Sequence, residues 1–421
     1  MPALPPDERQ QQPGLTGLQS GVSTAVRHAL GWLVLGNSVG LYLSLLLLHP
    51  AWQIGSLAYG RWVPVHLNVQ LYGWTALPLV AWLISIYEVD RSRLRAWAPA
   101  AVWGWSGALA IGAWQWLHGV TSGKIFLDWS GGALWALIAA MMFFWCVLTS
   151  AWQERSGTWP PGRKRMTLAG LLGLALVPVS LVLAASPAVY PQIDRTTGGP
   201  TGSSLLGSSL LVVGLMLLLP RVLAGARHGV ASRRVWIFFG VCWLVFGVME
   251  AVGGSHHDAA QIGALGCLLP WAWWLPRDWG RFCWPDGTRV WRLALLGWWC
   301  LLVANGFLLY QPGVLDRLKF TQALVSHSHL AMAGFTTSFG ALLVVLLTGR
   351  RLGSTSSVLL WHLAVLLMVV TLAVMGWREG AGPAWMDARQ AWRGFGFLMR
   401  AHCGGLMLVV SVLWWWDRRT I

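Results

Sequence analysis

The chain has 421 residues, 56% of them hydrophobic and only 11% charged, and a formal net charge of +15. Soluble domains carry about 25% charged residues, so a soluble globular protein is excluded. Six scattered cysteines (Cys146, Cys242, Cys267, Cys283, Cys300, Cys403) form no C-x-x-C or C-x-x-C-H spacing, which excludes a covalent c-type heme and a cysteine-based zinc site.

In chain order, residues 1–24 form a polar tail and 25–421 one helical membrane domain. The opening MPALPPDERQQQPG lacks a basic stretch followed by an apolar core, so no cleavable signal peptide is expected. Apolar runs of about 20 residues, each able to cross a hydrocarbon core of about 30 Å, then recur to the end. They predict twelve transmembrane helices near 25–48, 62–87, 98–118, 129–152, 166–186, 202–220, 235–254, 259–276, 291–310, 320–348, 356–377 and 392–416. The fold class expected is an all-α integral membrane bundle. Most of the 32 tryptophans sit at the ends of these runs, where interfacial anchors belong.

The loops give the orientation. With the N-terminus inside, the inner segments hold 21 of the 30 basic residues, from Arg9 and Arg27 through the 91–95, 155–165, 221–234, 277–292 and 350–351 groups to Arg418 and Arg419. This positive-inside bias predicts a bacterial inner-membrane, multi-pass protein with both termini cytoplasmic. It also accounts for the net charge without a nucleic-acid partner.

Eight of the eleven histidines then fall near the outer ends of helices: His49, His66, His118, His256, His257, His327, His329 and His402. Ionisable groups inside membrane spans are costly and mark function. In SHSHLAMAGF (326–335), His327 and His329 point about 200° apart on a helix, so one helix can offer an imidazole to each of two planar cofactors. The alternative is two histidines bonded to neighbouring helices. His66, in VPVHLNVQLYGW, lies at the depth of His329, and a low-spin heme takes two opposed imidazoles. His256 and His257, in GGSHHDAAQ, could share one metal or belong to a polar loop. Glu250, six residues earlier, is a carboxylate inside an apolar stretch; a metal, a proton route, a paired arginine or a structural hydrogen bond would each explain it.

These motifs bring a resemblance into view. The chain resembles the catalytic subunit (subunit I) of the heme-copper oxidase superfamily, closest to cbb-type cytochrome c oxidases and the nitric oxide reductase large subunit. The likeness runs through HLNVQLYGW (66–74), GVTSGKIFLDW (119–129), LLLPRVL (217–223), GGSHH (253–257), VSHSHLAMAGFTTSFGAL (325–342) and LMRAHCGGLM (398–407). It implies two b-type hemes, with His66 and His329 on the low-spin heme and His327 on the high-spin one. It further implies His256 and His257 on a second metal, iron or copper. Arg400 would anchor heme propionates, with His402 beside it as a second candidate.

The family's third metal histidine comes from the sixth helix, but GGPTGSSLLGSSLLVVG offers none. Glu250 stands where cbb-type oxidases carry a cross-linked tyrosine. The second metal site is therefore expected to be remodelled, with Glu250 as a catalytic candidate beside His327, or to hold no metal.

Three functions compete. One is a respiratory oxidoreductase subunit reducing oxygen or nitric oxide. The second is a degenerate relative that serves as a heme b electron-transfer or quinone-linked subunit. The third is a twelve-helix transporter, but internal repeats and helices broken at the midplane are missing. With no covalent heme in the chain, electrons are expected from a periplasmic c-type cytochrome subunit in a hetero-oligomeric complex within the lipid bilayer.

Overall fold

The computed structural model describes residues 20–186, 202–226, 233–255, 257–382 and 391–417. In hydrocarbon no water satisfies backbone N–H and C=O groups, so apolar runs close their hydrogen bonds internally as helices. The main helices are α1 (Ser20–Leu48), α2 (Tyr59–Ile86), α3 (Trp97–Leu117), α4 (Gly131–Arg155), α5 (Pro161–Ala185), α6 (Gly202–Leu223) and α7 (Arg233–Val252). They continue with α8 (Ala259–Leu265), α9 (Trp271–Trp279), α10 (Arg289–Leu309), α11 (Val314–Leu318), α12 (Gln322–Thr348), α13 (Thr355–Glu379) and α14 (Ala391–Trp416). A two-residue antiparallel pair, Gly225–Ala226 with Phe282–Cys283, ties two loops.

Among the described residues ten helices are long and apolar enough to cross a membrane, and the chain is an all-helical, multi-pass membrane protein. Two of the twelve expected spans are not among the ten. The 98–118 stretch is one 21-residue helix, α3, diluted with tryptophan, glycine and glutamine. The 259–276 stretch is α8, a 3₁₀ turn at Gly266–Leu268, and α9, with Pro270 leading into α9 and Pro276 inside it. Each proline removes a backbone donor and interrupts the helical ladder.

α12 lies at the centre of the bundle, with 67% of its most apolar window buried, whereas α7 buries 11% and lies at the edge. α1 buries Val22, Ala25, Val26, Ala29, Leu30 and Leu33 at the three- and four-residue spacing of one helix face. That face packs against α2 and α14, while α12 packs against α10, α13 and α2.

Two helices share an irregularity. α2 passes through a π-helical turn at Val69–Thr75 and α12 through another at Leu330–Thr336. Their sequences, VQLYGWT and LAMAGFT, match in a glycine, an aromatic and a threonine at the same places. A Cβ on Gly73 would sit 2.6 Å from Trp32, and one on Gly334 2.7 Å from Trp298, so each wide turn presses bare backbone against an indole. Thr75 Oγ1 donates to the Gln70 carbonyl at 3.2 Å and Thr336 Oγ1 to the Ala331 carbonyl at 2.8 Å, each five residues back. These hydroxyls satisfy carbonyls that the wide turn leaves poorly aligned. The two turns touch, and Trp74 Nε1 donates to Thr337 Oγ1 at 3.1 Å. Isolated π turns occur frequently at functional sites.

Polar clamps close both ends. Glu88 pairs with Arg155 at 3.0 Å and Arg163 at 2.9 Å, joining the ends of α2, α4 and α5. Burial pushes the Glu88 carboxyl up, but the two guanidinium bonds outweigh it and hold the group below the usual carboxylate range. At the opposite end the 118–130 loop folds inward on Asp128, which accepts from Asn68 Nδ2 at 2.8 Å and Thr121 Oγ1 at 2.9 Å. Burial holds the Asp128 carboxyl above its usual range in spite of those two bonds.

Candidate cofactor site

The two π turns begin just beyond two histidines, and those histidines meet. His66 on α2 and His329 on α12 line one cavity. Its walls are largely apolar and include Leu33, Trp74, Phe126, Met332, Trp361 and Met407. Asn37, Gln70 and Arg400 supply polar groups, with Gln70 Nε2 donating to Asn37 Oδ1 at 2.9 Å.

Each imidazole is oriented by its own backbone anchor. His66 Nδ1 lies 2.8 Å from the Gly36 carbonyl and His329 Nδ1 2.8 Å from the Val325 carbonyl. A carbonyl only accepts, so both Nδ1 atoms carry the ring proton and both Nε2 atoms keep a free lone pair. This is the tautomer a metal-ligating imidazole needs, with its outer nitrogen bonded to a backbone oxygen. Gly40 makes room for the first ring: a Cβ there would lie 2.6 Å from His66 Cε1.

Arg400 enters the same cavity from α14, buried, with Gln322 Oε1 as its side-chain acceptor at 3.3 Å. Among the described residues no carboxylate lies within ion-pair distance of it. A buried guanidinium facing one neutral acceptor suits an anionic ligand group. His402 does not join it. Two residues along a helix is about 200°, and His402 lies exposed with Nδ1 2.8 Å from the Leu398 carbonyl.

His327 faces a different cavity, of about 1440 Å³ empty volume, between α12 and α10. The opposed directions expected of the i, i+2 pair are therefore observed. His327 Nδ1 meets Asn305 Oδ1 at 2.7 Å, and its ring lies against Gly306, where a Cβ would stand 3.4 Å from Cε1. If Asn305 accepts through that oxygen, Nε2 is again the free nitrogen. Ile125 lines this second cavity and Phe126 the first, so one turn of the 118–130 loop walls both. Phe126 is held at φ +64, a left-handed conformation rare outside glycine, with Tyr72 Oη donating to its carbonyl at 3.1 Å.

The second-metal candidates are placed otherwise. His256 lies outside the described residues. His257 is exposed and bonds through Nε2 to Asp316 Oδ2 at 2.7 Å, beside Lys319. Burial slightly opposes ionisation of Asp316, but His257 and Lys319 hold its carboxyl below the ordinary range. Glu250 is exposed in the last turn of α7, and Gly253 (φ +69) and Gly254 (φ +117) turn the chain immediately after the helix. Among the described residues no group of three or more His, Cys, Asp or Glu side chains could hold a metal. The corresponding stretch of the sixth helix contributes Ser209 to the His327 cavity, while 200 and 201 lie outside the described residues.

Three residues that shape the site escape motif reading: Gly40, Asn305 and Gln322. The glycine is nine residues from His49, the nearest histidine in the chain, and the two amides sit in ordinary apolar helices. Gln70 and Phe126 lie within the motifs HLNVQLYGW and GVTSGKIFLDW. Compared with known proteins, the chain matches no family model and no curated protein.

Proposed function

We propose that the chain is a heme b-bearing subunit of a respiratory membrane oxidoreductase, akin to subunit I of the cbb-type oxidases and nitric oxide reductases. In this reading it crosses a bacterial inner membrane twelve times with both termini cytoplasmic. One observation carries the proposal: His66 and His329, from different helices, line one cavity with Nδ1 tied to carbonyls and Nε2 free. That donor set fits a planar macrocycle held between two imidazoles. Arg400 would hold the propionates, and His327 would hold a second heme in the other cavity.

Bound there, heme would supply one-electron chemistry and a place for oxygen or nitric oxide to bind. The chain's own residues do the rest. Gly36, Val325 and Asn305 fix the imidazoles, apolar walls exclude water, and Arg400 offsets negative charge. Electrons would come from a c-type cytochrome subunit on the periplasmic side, within a hetero-oligomeric complex.

A second reading assigns the chain to electron transfer without terminal chemistry. The placement of His257 and Glu250 supports it, because neither side chain lines the His327 cavity that a second metal would have to face. The test is a pyridine hemochrome assay with carbon monoxide binding and metal analysis on the purified protein. Two b-type hemes per chain, one binding carbon monoxide, support the proposal, and non-heme iron or copper separates its two forms. A preparation expressed with ample heme that holds none would refute both.

A further inference from the structure

At the opposite end of the bundle from the 118–130 loop, four helices converge on a cavity that the cofactor site does not use. Arg27 lies two turns into α1, Arg350 two residues past the end of α12, Trp103 in the second turn of α3, and Trp415 and Trp416 at the end of α14. With His28 and Asp417 they line an empty volume of about 1460 Å³. Among the described residues neither guanidinium forms an ion pair, with Asp417 or with any other carboxylate. The lining holds two fixed cations and one anion. His28 is turned to Ser106, with Nδ1 2.7 Å from its Oγ, and edge-on to Trp103 at 4.3 Å.

Beyond the cavity an apolar stripe continues along α1. Arg27, Gly31 and Leu35 follow each other at four-residue spacing, so they form one stripe running from the helix end into the apolar zone, and Leu35 is 43% exposed. On α14, which packs against α1, Trp416 and the exposed Val412 repeat the pattern. A soluble anion would use only the arginines. A phospholipid uses both parts: its phosphodiester suits guanidinium forks, its glycerol level suits tryptophan, and an acyl chain suits the stripe.

We infer that this cavity binds one anionic phospholipid, its phosphate between Arg27 and Arg350 and one acyl chain along the Arg27–Gly31–Leu35 face. The site is independent of the heme reading. The full-length protein, exchanged into detergent doped with phosphatidylglycerol or with phosphatidylcholine, is assayed for retained lipid by native mass spectrometry and phosphorus analysis. One retained phosphatidylglycerol is expected, with weaker retention of phosphatidylcholine. Arg27→Gln and Arg350→Gln should each weaken it about five-fold, leaving the optical spectrum as in the parent. Equal retention of the two lipids, or unchanged retention in the double variant, overturns the inference. Competition by millimolar inorganic phosphate also overturns it, in favour of a free-anion site. Should the glutamine variants melt early even in phosphatidylcholine, the Arg27→Lys/Arg350→Lys pair decides. It keeps both charges, and loss of the phosphatidylglycerol preference in it would count against the lipid.

Discussion

At position 40 a hydrogen atom stands where any other residue would place a carbon 2.6 Å from the His66 ring. The ring cannot retreat without giving up the Gly36 carbonyl. Gly40→Ala should therefore displace His66 and abolish the spectrum of the proposed low-spin heme while helical content stays. Gly60→Ala, on the same helix as His66 but in open space, is the control; equal loss from both would show that the effect is general destabilisation. His66→Ala or His329→Ala should each remove the sharp reduced α band, and His402→Ala should leave it, since His402 lies on the outer face of α14. Arg400→Gln should lower the midpoint potential of the proposed low-spin heme by tens of millivolts, because a nearby cation favours the reduced form; a redox titration checks the sign. The histidines were legible in the sequence because ionisable groups are scarce in apolar runs. Arg400 and His402 are not partners, because the 200° step that separates His327 from His329 separates these two as well. Asp316 carries no signal in the sequence, since an acid in a short segment between two apolar runs is ordinary until its partner is seen.

At the scale of elements, length and hydropathy determine where a helix crosses, and those predictions stand for ten segments. What they do not carry is the interior of a helix. Val69–Thr75 and Leu330–Thr336 have the composition of any apolar turn, and the shared glycine–aromatic–threonine triplet is too short to register as a repeat. The broken α8–α9 segment was legible only through Pro270 and Pro276. Glu88 joins three elements at once, and its folded carboxyl titrates below the ordinary range. A depressed pKa contributes stability above the unfolded value of about 4.3, and that stability is lost as pH falls through the folded one. Glu88→Gln should thus lower the melting temperature at neutral pH, modestly because both arginines are about a third exposed. The gap between variant and parent should close in acid; a gap that widened below pH 4 would contradict the pairing.

For the whole molecule, the central position of α12 means that both cavities share one wall. A ligand in either cavity buries the surface that lines it, so the proposed heme should stabilise the folded state by mass action. Protein expressed under heme limitation is expected to melt below the loaded protein, and calorimetry of the two preparations checks this. The gross arrangement was readable from composition because the bilayer leaves few choices, whereas the pairing of α2 with α12 depends on contacts between segments some 260 residues apart. The matched π turns have a consequence for inheritance. Losing one residue from an ordinary membrane helix rotates everything beyond it by about 100° and scrambles which side faces lipid. A π turn is a place where one surplus residue has been absorbed without disturbing either flank. Shortening 69–75 or 330–336 by a single codon should leave the downstream halves in phase, whereas the same loss within 76–86 should not. Those two stretches are then the points at which a buried helix of this protein tolerates a frame-preserving deletion. The resulting chain would fold, insert and fail only at its ligand, as a deletion scan read by membrane yield and by spectrum would reveal.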